Sequence, residues 1–98
     1  MFNNGLRNKY ISQWDVDDVI RWLNELNLST YACLFESHNL NGYDLCFLTS
    51  ESLISYLKIN KLHDRNLMLQ SIRRYLLDER IYLITISCYY HNLWRSYI

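Results

Sequence analysis

The chain has 98 residues, half of them hydrophobic and 15% aromatic, and its ten basic and ten acidic side chains cancel. That length allows one domain with a single core and leaves little room for a deep catalytic cleft, so function is expected on the surface. The composition excludes a disordered chain, and zero net charge argues against a general polyanion binder.

Residues 1–11 mix Asn, Gly, Lys and Arg with few apolar side chains and read as a mobile lead-in without an apolar signal core. A domain is expected over 12–79. Trp14 should sit at the edge of its core, half-buried because the indole N–H needs a partner or solvent. Asp15 and Asp18 then offer an N-cap and an acidic third position, and Val19, Trp22, Leu23 and Leu26 follow at helical spacing. Ser29 reads as the cap of a second, short helix with Tyr31, Leu34 and Phe35 inside, running out near His38.

Asn39 to Gly42 reads as a turn, with Gly42 at a backbone angle other residues resist. Leu45 and Leu48 mark a third helix. Thr49 and Ser50 cap a fourth, which buries Leu53, Ile54 and Leu57. The longest helix-like run, Leu57 to Leu77, carries Met68, Leu69, Ile72 and Leu76 on one side, with Leu62 and Arg65 preceding them there. His63, Leu67, Gln70 and Arg74 fall on the opposite side, where Leu67 is an apolar residue among polar neighbours. Without a proline or an alternating strand pattern over 14–77, the prediction is an all-α bundle of five helices, the last one long. Its core should contain Trp22, Leu23, Phe35, Leu53, Leu69 and Ile72.

Residues 80–98 differ in kind, because Ile81, Ile84, Thr85 and Ile86 are β-branched and Tyr82, Tyr89 and Tyr90 aromatic. They read as a continuation of the last helix, a strand-like segment, or a tail ordered by a partner. The apolar run is about half the length a membrane-spanning helix requires.

The order of signposts Trp14, Asp18-Val19, Trp22-Leu23, Leu28, Tyr31, Phe35, Leu40-Asn41-Gly42, Leu45, Leu48-Thr49, Leu53, Leu57-Lys58-Ile59, Arg65, Leu69 and Ile72 resembles a sterile alpha motif (SAM) domain over about residues 12 to 77. Two positions depart from the family's pattern. Lys58 stands where the family commonly has a glycine, implying a slightly different turn into helix five, and His63-Asp64-Arg65 replaces the usual Gly-His-Arg. The resemblance implies protein association, homotypic or with another such domain, in which the surface of helices two to four meets the start of helix five. It implies no catalytic residues. A smaller group in the family resembles RNA-hairpin binders.

Charge bears on that choice. Asp15 to Glu51 holds seven acids against Arg21 alone, and Lys58 to Arg74 holds five bases against Asp64 alone. Such opposed patches suit head-to-tail contact between copies. The expected contact joins Lys58, Lys61, His63, Arg65 and Leu67 to Glu36, Asp44 and Glu51, with Leu67 as its apolar centre. The alternative is RNA bound through the basic patch, which Asp64 and the acidic first half weaken. His38, His63 and His91 lie far apart, and no elbow or glycine-rich loop accompanies them, so no catalytic, cofactor or metal site is expected. Cys33 and Cys46 are expected as small core residues. The three cysteines, odd in number and without a CxxC pair, read as free thiols of an intracellular, cytoplasmic protein.

Overall fold

Short polar caps divide the chain into its helices. Asp15 accepts from the Asp18 N–H at 2.9 Å while Asp18 accepts back from the Asp15 N–H at 3.1 Å, which opens α1, Val16–Glu25. Asn41 and Asp44 repeat the exchange before α3, Gly42–Leu45, as do Thr49 and Ser52 before α4, Ser50–Ser55. The second helix differs from expectation. Ser29 makes no side-chain cap, and a 3-10 turn at Ser29–Tyr31 runs straight into α2, Ala32–Ser37. The last helix, α5, spans Leu62–Arg95 in 34 residues. This computed structural model describes residues 9–95, with side chains through Glu79.

Among the described residues the helices form an all-α fold without strands, as predicted. None of these helices is long and apolar enough to cross a membrane. Of the readings for the tail, helix continuation is the one observed, through Arg95.

Helix ends are set by residues in the left-handed region. Asn27 (φ 60°) and Asn39 (φ 53°) follow α1 and α2, and the next residue's N–H reaches back to the helix, Leu28 to the Leu23 carbonyl at 2.8 Å and Leu40 to Phe35 at 3.1 Å. Each is the six-to-one bond of a Schellman ending, with an apolar pair at its two ends and Asn where Gly is commonest. Lys58 (φ 58°) occupies the third such corner, after which the Ile59 N–H bonds to the Leu53 carbonyl at 2.9 Å. Gly42, by contrast, has no positive φ. What requires glycine there is room: a Cβ would lie 1.8 Å from the Ile11 carbonyl oxygen and 2.6 Å from the Trp14 Cβ.

The core joins Trp22, Leu23, Phe35, Leu53 and Ile72, all predicted, to Ile11, Trp14, Val19, Leu45, Leu57, Ile59 and Met68. Ile11, placed by its sequence in the lead-in, belongs to a 3-10 turn at Ile11–Gln13 that packs on α3. That turn covers Trp14, which is 2% exposed rather than half-buried. Its ring meets Tyr75 edge-on at 4.8 Å, and its Nε1 has no hydrogen-bond partner. Trp22 Nε1 donates to Ser71 Oγ at 2.8 Å. Leu69 is only half-buried, because the inward stripe of α5 centres on Arg65, Met68 and Ile72. Leu62 and Ile54, expected inside, are exposed, and so is Cys33, while Cys46 is half-buried with its thiol pushed up by burial.

Asp18 is the one buried acid among the described residues, 2% exposed, and Lys9 donates to it at 2.8 Å. Burial pushes its carboxyl up, but the Lys9 bond, the Asp15 amide and the charges of Lys9 and Arg21 outweigh burial and hold it below its ordinary value.

Candidate interaction surfaces

Three short helices build the middle surface. Helix α3 has four residues and buries only Gly42 and Leu45, so its outer side faces solvent. Tyr43 and Phe47, one helical turn apart, are 60% and 67% exposed, with ring centroids 5.1 Å from each other. Beyond α2, the His38 ring lies tilted against Tyr56 with centroids 5.3 Å apart, and Tyr56 is likewise exposed. The acids expected here, Glu36, Asp44 and Glu51, stand on α2, α3 and α4. Glu36 and Glu51 are exposed, whereas Asp44 is half-buried because its carboxylate closes the α3 cap. The aromatic residues are what sequence reading missed. Their signal was present: Tyr43 on α3 and Phe47 just past its end sit at i, i+4, and so short a helix cannot bury both together with Leu45.

At the start of α5 the arrangement differs from expectation in two residues. Lys58, Lys61 and His63 are exposed. Arg65 is only 8% exposed: its Nη1 donates to the Ile59 carbonyl at 2.9 Å, and its Nε is buried without a partner. Its position on the inward stripe points it under the corner before α5, where a guanidinium reaches the carbonyl left free by the turn. It is a structural residue and not part of the surface. Leu67 is half-buried and packs on the core, lining a groove of about 860 Å³ between α1 and α5 with Trp22 and Leu26. The exposed apolar residue at the helix start is instead Leu62, at 60%. Asp64 accepts a hydrogen bond of 2.5 Å from the Tyr31 hydroxyl, tying this end of α5 to the turn before α2. That bond, then burial and the Asp64 charge, push the Tyr31 phenol up to about 12.

Among the described residues no group of three or more His, Cys, Asp or Glu side chains is placed to hold a metal ion. The two surfaces present aromatic and acidic groups on one side, and a leucine among bases on the other. Such groups can desolvate and pair with another protein; neither set converges on a point as reacting groups must.

The sequence model of the SAM domain (sterile alpha motif) matches residues 11–76. The chain is 34% identical over 62 residues to the zebrafish WD repeat, SAM and U-box domain-containing protein 1, and 34% identical over 64 residues to the human protein of that name. These matches cover 63% and 65% of this chain and 13% of each relative, so the chain corresponds to a small part of those proteins. Among solved structures it superposes on the SAM domain of mouse bifunctional apoptosis regulator with a TM-score of 0.69 and 27% identity, covering 76% of this chain and 86% of the other. The chain therefore belongs to the sterile alpha motif family, whose members are protein-interaction modules.

Proposed function

We propose that the chain is a non-catalytic module that binds a second SAM domain, of its own kind or another, with the middle surface of one domain meeting the α5 start of the other. The observation that carries this reading is the exposed Tyr43–Phe47 pair beside Glu36 and Asp44, matched by exposed Leu62 among Lys58, Lys61 and His63. Desolvated apolar anchors hold such a contact, and the charges around them steer and select it. Leu62 takes the role expected of Leu67, and Arg65 leaves the surface. A contact of this size is weak singly, so repetition along a head-to-tail assembly or a second site would be needed for tight binding.

The test is sedimentation velocity over a concentration series at two salt levels. Phe47→Glu spoils the middle surface and Leu62→Glu the α5 start, and neither side chain helps hold the core. Each variant alone should lose end-to-end growth. Mixed, they should still form a heterodimer through the one intact pair of surfaces. If the mixture behaves as the sum of its parts, the two surfaces do not meet. A wild-type chain that never grows beyond two copies leaves only the heterotypic form of the reading.

A further inference from the structure

Both glycines of the chain follow an asparagine, at Asn4–Gly5 and Asn41–Gly42. Asparagine is chemically least durable before glycine, because no side chain shields the next main-chain nitrogen from the asparagine's own amide carbon. At Asn41–Gly42 the fold holds both partners of that reaction. The Gly42 N–H donates to the Trp14 carbonyl at 2.9 Å, and Gly42 is buried. The Asn41 amide oxygen accepts from the Asp44 N–H at 2.9 Å, while Asn41 itself is exposed to water. Asp15 and Thr49 cap α1 and α4 in the same way without an amide to lose. Nor does the slot between Ile11 and Trp14 accept a residue other than glycine, since it has no room for a Cβ.

We propose that Asn41 is a deamidation site that the fold holds shut, and that it reacts when the Ile11–Gln13 turn and Trp14 part from α3. Little holds the turn: only Ile11 of its three residues is buried, and its Ser12–Glu79 hydrogen bond lies in solvent. In the open state the Gly42 N–H loses its carbonyl acceptor and can give up its proton to hydroxide. The Gly42 nitrogen then bonds to Cγ of Asn41 as the bond from Cγ to Nδ2 breaks, and ammonia leaves with the proton returned to it. Water adds to either carbonyl of the resulting succinimide and opens the ring, giving aspartate or isoaspartate at position 41. Water is the only co-reactant. Aspartate caps as well as asparagine, so that product closes again. Isoaspartate routes the main chain through the side chain and lengthens it by one methylene beside Gly42, where even a Cβ would lie 1.8 Å from the Ile11 carbonyl oxygen. That product cannot reseat. A passing opening of the corner becomes a permanent one, directly before Tyr43 on the middle surface.

The test ages the full chain at mildly alkaline pH and follows each asparagine by peptide mass mapping, with isoaspartate counted by enzymatic methylation. In the denatured chain Asn41 and Asn4 should convert at similar rates, since each precedes glycine. In the folded chain Asn41 should convert at least about tenfold more slowly than when denatured, and Asn41→Ser, which keeps a capping oxygen, should remove the mass gain from that peptide. Ile11→Ala, which loosens the turn, should speed the folded reaction about tenfold or more, whereas Met68→Ala, a core change away from the corner, should alter it far less. Should Ile11→Ala fail to fold, Ser12→Ala removes only the bond to Glu79 and should speed the reaction about twofold or more. Equal rates in the folded and denatured chains overturn the proposal. So does equal acceleration by Ile11→Ala and Met68→Ala, which would route the reaction through the unfolded chain. Isoaspartate-bearing chains, separated from fresh ones, should lose end-to-end growth, an effect that rests on the association reading as the mass gain does not. Isoaspartate-bearing chains that elongate as well as fresh ones overturn the permanence of the opening, while chains that deamidate as described but never elongate even when fresh sink the homotypic association alone.

Discussion

On the middle surface, α2, α3 and α4 are each too short to do more than bury one residue or two, and the large side chains left over, Tyr43, Phe47 and Tyr56, remain in solvent. At the start of α5 the reverse holds: a long helix pressed on the core draws Arg65 under the corner and Leu67 into the groove, leaving Leu62 with three bases. One region thus exposes more apolar surface than its sequence advertises, and the other less charge. Helix length decides which, because a long helix keeps a continuous inward stripe that claims whatever residue falls on it.

The largest expected effect separates the inward stripe of α5 from its flank. Met68→Ala, at a fully buried position, should cost about 2 to 5 kcal/mol in chemical denaturation, and Leu69→Ala clearly less, because half-buried Leu69 leaves a smaller cavity. Equal losses would mean that the stripe is centred elsewhere. Next, Arg65→Ala should lower stability by about 1.5 to 3 kcal/mol by removing a charged donor from the Ile59 carbonyl. Its effect on association should be no more than the unfolded fraction explains. Phe47→Ala should do the opposite, changing the unfolding free energy by less than about 0.5 kcal/mol while weakening end-to-end association about tenfold or more.

How much of this was legible follows from the range over which each feature is decided. Caps are local: Asp15 with Asp18 and Thr49 before α4 declare themselves within a few residues, and the structure has both. The core residues Trp22, Leu23, Phe35, Leu53 and Ile72 follow from periodicity, which is also local. The corners were less visible: Asn27 reads as ordinary loop, Asn39 only as the start of a turn and Lys58 only as a replacement for the family's glycine, although all three hold the left-handed angle that the sequence argument assigned to Gly42. Gly42 is needed for packing against Ile11 and Trp14, neighbours distant in the chain that no short window contains. Burial of Arg65 was half-visible, because its position on the inward stripe could be read while the acceptor at Ile59 could not. Counting charges along the sequence treats every arginine as surface.

Two smaller effects sharpen the account of the α5 start. Tyr31→Phe should cost about 1 kcal/mol by removing the bond to Asp64. In the wild type that bond requires the neutral phenol, whose pKa is raised from 10.0 to about 12 in the folded chain. Its contribution is therefore complete below pH 10 and lost as pH rises towards 12. A pH series of denaturation curves should show this alkaline loss in the wild type and a shallower one in Tyr31→Phe. Smallest is Lys58→Gly, which relieves a left-handed lysine but frees the unfolded chain, for a net gain of about 0.5 kcal/mol or less. A large loss would mean that the lysine side chain supports the turn.

The closed corners also bear on how the chain reaches this state. The bonds from Leu28 to Leu23 and from Leu40 to Phe35 each span five residues, so α1 and α2 can finish their ends without waiting for the rest of the molecule. Bonds of such short span favour rapid formation, because little loop entropy is lost before they form. The Gly42 N–H bond to the Trp14 carbonyl, at 2.9 Å, is of another kind, joining residues that α1 and α2 separate. Seating the Ile11–Gln13 turn over α3 is then expected late in folding, and should be the first part to let go under mild denaturant. Protection of the Gly42 amide against hydrogen exchange would report the opening of that corner alone, while α1 and α5 stay closed beneath it.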